Sequence, residues 1–252
     1  MIKKLNVIVM ALLMGVTMSF AQTADEIIAK HIEAIGGKEK IANLKTLKMK
    51  ASVDVGPNMK APMTMYIVAE KGLRVEFEMQ GMMMIQCIDG DSGWVVQPFG
   101  GKKEAERMDK ETIEQMKDQM DIRGSLFDYK SKGNTVVFLG KEDMEGTETY
   151  KLKVSKKNGD VETIYLDASS YLILKIVTKH TFKDKELQGE TLFSNYKKVD
   201  GVMMPFTIDE REVGAAQGQA ITFDSIEVNP KFENSLFKMP IASAAAPSGD
   251  KK

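Results

Sequence analysis

The 252-residue chain is poor in the residues that do chemistry. Its one cysteine, Cys87, cannot form an internal disulfide, so the fold must rest on an apolar core. The two histidines, His31 and His180, stand far apart, and no Cys/His cluster offers zinc a ligand set. His31 reads as a surface residue among charges on a helix. His180 shares strand parity with Leu174, Ile176 and Phe182, and neither histidine stands in a recognisable Ser-His-Asp context. Acidic residues fall mostly in turns or on wet strand faces, not as facing pairs for glycoside chemistry. The glycines punctuate turns and lack phosphate-loop spacing. Positive charge is not in excess either. The formal net charge of −1 becomes −3 if Lys3 and Lys4 leave with a leader, which argues against a nucleic-acid surface. The lone Trp94 follows a turn and reads as core, with a cavity mouth as the alternative. Catalysis is not expected, and neither is a cofactor.

The two ends differ from the rest. Residues 1–21 have the pattern of a secretory signal peptide: Lys3 and Lys4, an apolar run over 5–16 too short to span a bilayer, and the small-residue site Ser19-Phe20-Ala21. No cysteine follows that run, so the expected product is exported and not lipid-anchored. Residues 242–252, rich in Ala, Ser, Pro, Gly and Lys, read as a disordered tail. Residues 22–241 are expected to form a single domain.

Methionine is what the chain has in plenty. Of its 19 methionines, eight fall between Met49 and Met84: Met49, Met59, Met63, Met65, Met79, Met82, Met83 and Met84. Most occupy alternating positions of apparent strands. Methionine is unbranched and polarizable, and it adapts to irregular apolar partners. A wall of it suits a greasy, variable ligand that must be released again.

Residues 23–35 read as an amphipathic helix with Thr23 and Glu26 at capping-box spacing, ended by Gly36-Gly37. A short second helix is expected over 38–44. The period then drops to two: Leu47, Met49, Ala51, Val53 and Val55 alternate with polar residues, and the pattern repeats at 61–69 and 73–79. Residues 82–88 are apolar on both sides. Residues 109–122 read as an isolated helix with Ile113, Met116 and Met120 on one side, suited to close a barrel end or cover a cavity. Strands resume from Asn134 to about Val228 with hairpin-spaced turns. The fold class expected is mainly β: a strongly curved antiparallel sheet, or incomplete β-barrel, of about 11–12 strands with an N-terminal helix and a lid helix.

The expected ligand-lining residues are Met49, Met63, Met65, Leu73, Val75, Phe77, Met79, Met83 and Ile85, with Ile113, Met116 and Met120 on the lid. Met79, Met82, Met83, Met84 and Cys87 are also soft donors that would suit Cu(I). Strand alternation splits them between faces and no histidine lies near in sequence, so an apolar lining is preferred.

Several stretches resemble the periplasmic lipoprotein carriers of the LolA/LolB type. They are Leu73-Arg74-Val75-Glu76-Phe77, then Asp89-Gly90, Trp94 and Gln97-Pro98-Phe99, and near the end Tyr196, Val199-Asp200-Gly201-Val202, Pro205, Ile226, Asn229-Pro230, Phe232 and Leu236-Phe237. The helical start at 24–37 fits as well. The resemblance implies an incomplete barrel with helices over its open side and a cavity for acyl chains. It implies a soluble periplasmic carrier of lipids or lipoproteins, with an inner-membrane donor and an outer-membrane acceptor. Relatives of this fold also serve as envelope sensors, which is the alternative function. The family's lid-controlling arginine has only Lys71 and Arg74 as nearby counterparts here.

Overall fold

The computed structural model describes residues 23–56, 59–98 and 104–240. The leader and tail readings therefore lie outside the described residues. The chain opens with helix α1 (Ala24–Ala34). Thr23 caps it: its hydroxyl accepts from the Glu26 amide at 3.2 Å, and Glu26 accepts in return from the Thr23 amide at 3.0 Å. Helix α2 (Lys38–Ala42) follows, and then thirteen strands form one continuous sheet.

The strands are β1 (Thr46–Gly56), β2 (Met59–Val68), β3 (Gly72–Met79), β4 (Met82–Asp89), β5 (Ser92–Val96), β6 (Glu106–Arg107), β7 (Thr135–Met144), β8 (Thr147–Ser155), β9 (Val161–Asp167), β10 (Ile173–Phe182), β11 (Lys185–Val199), β12 (Val202–Glu212) and β13 (Gln219–Val228). Their order is β6-β5-β4-β3-β2-β1-β13-β12-β11-β10-β9-β8-β7, antiparallel throughout. Two meanders thus meet where β1 pairs with β13, Met49 opposite Ile226 and Leu47 opposite Val228. The strand beyond the expected 11–12 is the two-residue β6, whose Arg107 and Glu106 pair with Trp94 and Val95 in a stretch too short and polar to show a period.

The longer alternating strands bury one side, as their period requires. Two apolar clusters result on the inner face. Under α1 lie Tyr150, Leu152, Val154, Ile164 and Leu166, packed on Ile27 and Ile28. Under helix α3 (Lys110–Lys117) and the 3-10 turn Asp118–Met120 lie side chains of β1–β4, β12 and β13. The expected 109–122 helix is therefore shorter. Asp109 is its cap, accepting from the Thr112 amide at 2.8 Å, and the last turn tightens to 3-10.

His31 is not a surface residue. It is buried, with Nδ1 2.8 Å from the Tyr171 carbonyl, and desolvation lowers its pKa. On the outer face, the segment after β13 straps back over the sheet. The Phe237 carbonyl accepts from Trp94 Nε1 at 3.0 Å and from the Cys87 thiol at 3.2 Å. Trp94 is thus core of the outer layer, and burial pushes the Cys87 thiol up to about 12.

Candidate functional site

The inner face under α3 is the candidate site. Residues directly opposite in an antiparallel pair share a face. Met49 faces Met65, Ala51 faces Met63, Met65 faces Val75, Met63 faces Phe77, Phe77 faces Met84 and Met79 faces Met82. One wall therefore carries Met49, Met63, Met65, Leu73, Val75, Phe77 and Met79 across three strands. Met82, Met84 and Ile88 extend it onto β4, with Gln86 as the polar interruption.

Met83 and Ile85 leave this wall. They stand opposite Glu78 and Glu76, so they project from the outer face, where Met83 is exposed and Ile85 packs with Cys87, Trp94 and Phe237. Residues 82–88 are apolar on both sides, so the sequence pattern gave no parity. The pairing with β3 fixes it. The same pairing divides the candidate copper donors, with Met79, Met82 and Met84 inside and Met83 and Cys87 outside. Among the described residues, no group of three or more His, Cys, Asp or Glu is placed to hold a metal.

The other side of the wall comes from the second meander. Val202, Met204, Phe206 and Ile208 on β12, and Ile221, Phe223 and Ile226 on β13, join the same cluster. Sequence reasoning missed them although β12 alternates as cleanly as β1; in β13 a bulge at Asp224 puts three positions between Phe223 and Ile226. What it lacked was the long-range β1–β13 pairing that brings the two halves together.

The wall is not uniformly sealed. Leu73 and Ile88 at one end of β3 and β4 are 0% exposed. Further along these strands Val75, Phe77, Met79, Gln86, Met84 and Met82 all keep accessible surface, as do Met49, Met65, Ile208 and Ile221. Glu210, two residues beyond Ile208 and so on the same side of β12, has accessible surface, yet desolvation alone raises its pKa.

Helix α3 spans this face. Its buried side presents Ile113 and Met116 to the wall, and the following 3-10 turn adds Met120. Close approach on one flank requires Gly93 of β5: a Cβ there would stand 2.9 Å from Ile113 Cγ1 and 3.1 Å from Met108 Sδ. A recess of about 250 Å³ opens beside that contact, where Asp91, Arg107, Lys110 and Glu114 surround Ser92, Gly93, Met108 and Ile113.

Polar side chains tie the lid to both halves of the sheet. Lys117 bonds Asp91 in the β4–β5 turn at 2.7 Å. On the other side Gln115 lies 3.2 Å from His180 Nε2 on β10, and Glu111 accepts from the Lys183 amide at 2.7 Å. Asp118 accepts from Lys156 at 2.8 Å, and Lys156 also pairs with Glu162 at 2.6 Å. These carboxylates hold the Lys156 ammonium above its ordinary pKa despite burial, which opposes them. The Lys117–Asp91 pair is exposed and contributes little stability, whereas Lys156 is buried between Asp118 and Glu162.

Arg74 does not face the lid. It is bound on the outer face to Glu76 at 2.7 Å and to the Leu236 carbonyl at 2.9 Å, over the Trp94 ring. It rims an outer cleft of about 470 Å³ with Lys48, Glu227 and Phe232, on the opposite side of the sheet from the methionines. Lys71 sits in the β2–β3 turn. The basic residue that does join that turn to the lid segment is Arg123, which bonds Glu70, while the Glu70 amide donates to the Met120 carbonyl at 3.2 Å. Its distance in sequence from the 71–74 region concealed it.

This architecture matches solved structures over most of its length. A LolA superfamily protein from Nitrosomonas europaea superposes with a TM-score of 0.57 at 13% identity, covering 86% of this chain and 98% of the other. The fold is LolA-like. A protein of a family of unknown function from Desulfovibrio piger gives 0.58 at 12% identity, over 86% and 98% of the two chains. A domain assigned to outer membrane lipoprotein sorting, from Vibrio parahaemolyticus, gives 0.55 at 14%, over 84% and 94%. No protein-family model matches the sequence, and no curated protein does. The likeness is one of architecture: the sheet, its curvature and the helices across it.

Proposed function

We propose that this protein binds acyl chains of lipids or lipoproteins under α3 and carries them through the periplasm toward the outer membrane, as a non-catalytic carrier. The observation that carries the reading is the partly accessible methionine wall under a helix tied by side-chain pairs at its margins. The LolA-like fold supports it, as does the lipoprotein-sorting assignment of the Vibrio parahaemolyticus domain. The leader pattern of residues 1–21, with no cysteine after it, supports export without a lipid anchor. An inner-membrane donor would load the chain and an outer-membrane acceptor would take it.

The energetics are adequate. Burying a methylene is worth about 0.8 kcal/mol, so a chain of about fourteen gains on the order of 11 kcal/mol gross. Entry requires Met116 and Met120 to withdraw from the wall. A compliant methionine lining limits the cost of exchanging one chain for another and keeps the bound state unselective. Native mass spectrometry of protein isolated from a cell envelope tests the proposal. A co-purifying lipid mass, displaced by added long-chain fatty acid, is the expected result. Lipid-free protein that also fails to bind a fluorescent fatty acid would overturn it.

A further inference from the structure

The two rims of the sheet differ in chemistry. Antiparallel order places the β1–β2, β3–β4, β8–β9, β10–β11 and β12–β13 turns on one rim, and the β2–β3, β4–β5, β7–β8, β9–β10 and β11–β12 turns on the other. Every turn of the second rim holds a carboxylate: Glu70, Asp89 and Asp91, Glu145, Asp167, and Asp200. Three turns of the first rim have none. Residues 55–59, 79–88 and 213–223 carry no charge at all, in a chain that is 28% charged. The remaining two carry both signs: Lys156, Lys157 and Asp160 in one, with Lys156 bound to Asp118 and Glu162, and Lys183, Asp184, Lys185 and Glu186 in the other.

Exposed apolar side chains follow the same division. Of the six large hydrophobics most exposed among the described residues, four belong to the first rim: Met59 (52%), Met83 (42%), Leu187 (40%) and Val213 (48%). They stand on or beside separate hairpin tips, not along one groove. The inner wall also runs out to this rim, from Phe77 to Met79 on β3 and from Met84 to Met82 on β4, while its other end is sealed at Leu73 and Ile88.

We propose that this rim docks on the surface of a phospholipid bilayer, with Met59, Met83 and Val213 entering the headgroup layer and Lys183 and Lys185 meeting phosphates. The contrast in charge favours a lipid surface: the three tips hold no charge between them, the Lys183 turn offers two ammonium groups, and the carboxylates of the opposite rim would be repelled by anionic lipid. Separate apolar tips around a ring meet a plane better than they fill a partner's pocket. Docking there would bring the open end of the inner wall against the bilayer.

Co-sedimentation with vesicles of phosphatidylethanolamine and phosphatidylglycerol tests the docking. The wild-type chain is expected to bind, and Met83→Glu combined with Val213→Glu to lose at least tenfold. Leu139→Glu, at an equally exposed apolar site on the outer face of β7, should bind as wild type. No vesicle binding by wild type overturns the proposal, as does equal loss in the control. Rim-dependent self-association without vesicle binding would also overturn it, in favour of a second copy as occupant. Fluorescent fatty-acid binding by the double variant separates the two claims: retained binding leaves the carrier reading standing whatever the vesicles show.

Discussion

The same sheet face is covered by two helices that treat it differently. Under α1 the wall is Leu152, Val154, Ile164 and Leu166, fully buried and without methionine. Under α3 it mixes methionine, valine and phenylalanine with buried leucine and isoleucine, and much of the methionine keeps accessible surface. α1 is closed at its start by a capping box and sends Ile27 and Ile28 into a sealed cluster. α3 packs Ile113 and Met116 on the sheet and is tied by side-chain pairs at its margins. Both halves are packed, one as a sealed core and the other as a larger core whose margin keeps accessible methionine surface beneath α3.

The largest expected effect breaks the first half. Leu152→Ala should cost about 2–5 kcal/mol, because branched neighbours cannot collapse into the hole. Met65→Ala should cost only about 1 kcal/mol, since its site is already partly open. Urea unfolding of both variants checks the contrast, and equal losses would erase it. Next in size, Met65→Trp should weaken fatty-acid binding at least tenfold by filling the space beside Met49 and Val75, with little change in unfolding midpoint. Fluorescent-ligand titration reads the first effect and thermal melting the second. Gly93→Val should prop α3 through Ile113 and Met108, and stopped-flow displacement should show acyl exchange several-fold faster.

The smallest effect concerns Lys117→Ala, which removes the tie to Asp91. A roughly twofold faster exchange is expected, shrinking further as salt screens the wild-type pair. The Lys117 hydrogen bond lowers the Asp91 pKa below its usual 3.8. The pair's contribution is thus complete above that value and is lost as pH falls through the lowered one. Exchange in the wild type should gain this increment only in that acidic window, and the Lys117→Ala variant should not.

Much of this contrast was legible in sequence, for reasons that particular residues make clear. Clean alternation in β1 to β3 gave the parity of Met49 to Met79, and the capping box gave α1. Where both parities are apolar, as at 82–88, local pattern cannot choose a face, and Met83 and Ile85 went to the wrong one. His31 looked solvated from its charged neighbours because the Tyr171 carbonyl that receives it is 140 positions away. Arg123 and the β12–β13 half of the wall share that cause: each depends on a pairing between residues distant in the chain.

Methionine ε-methyl NMR tests the central claim most directly. With the methyl groups carbon-13 labelled, a long-chain fatty acid should shift Met49, Met63, Met65, Met79, Met84, Met116 and Met120, while Met83 on the outer face and Met144 at the end of β7 stay still. Shifts confined to Met83 and Met144, or none at saturating ligand, would contradict an acyl chain held beneath α3.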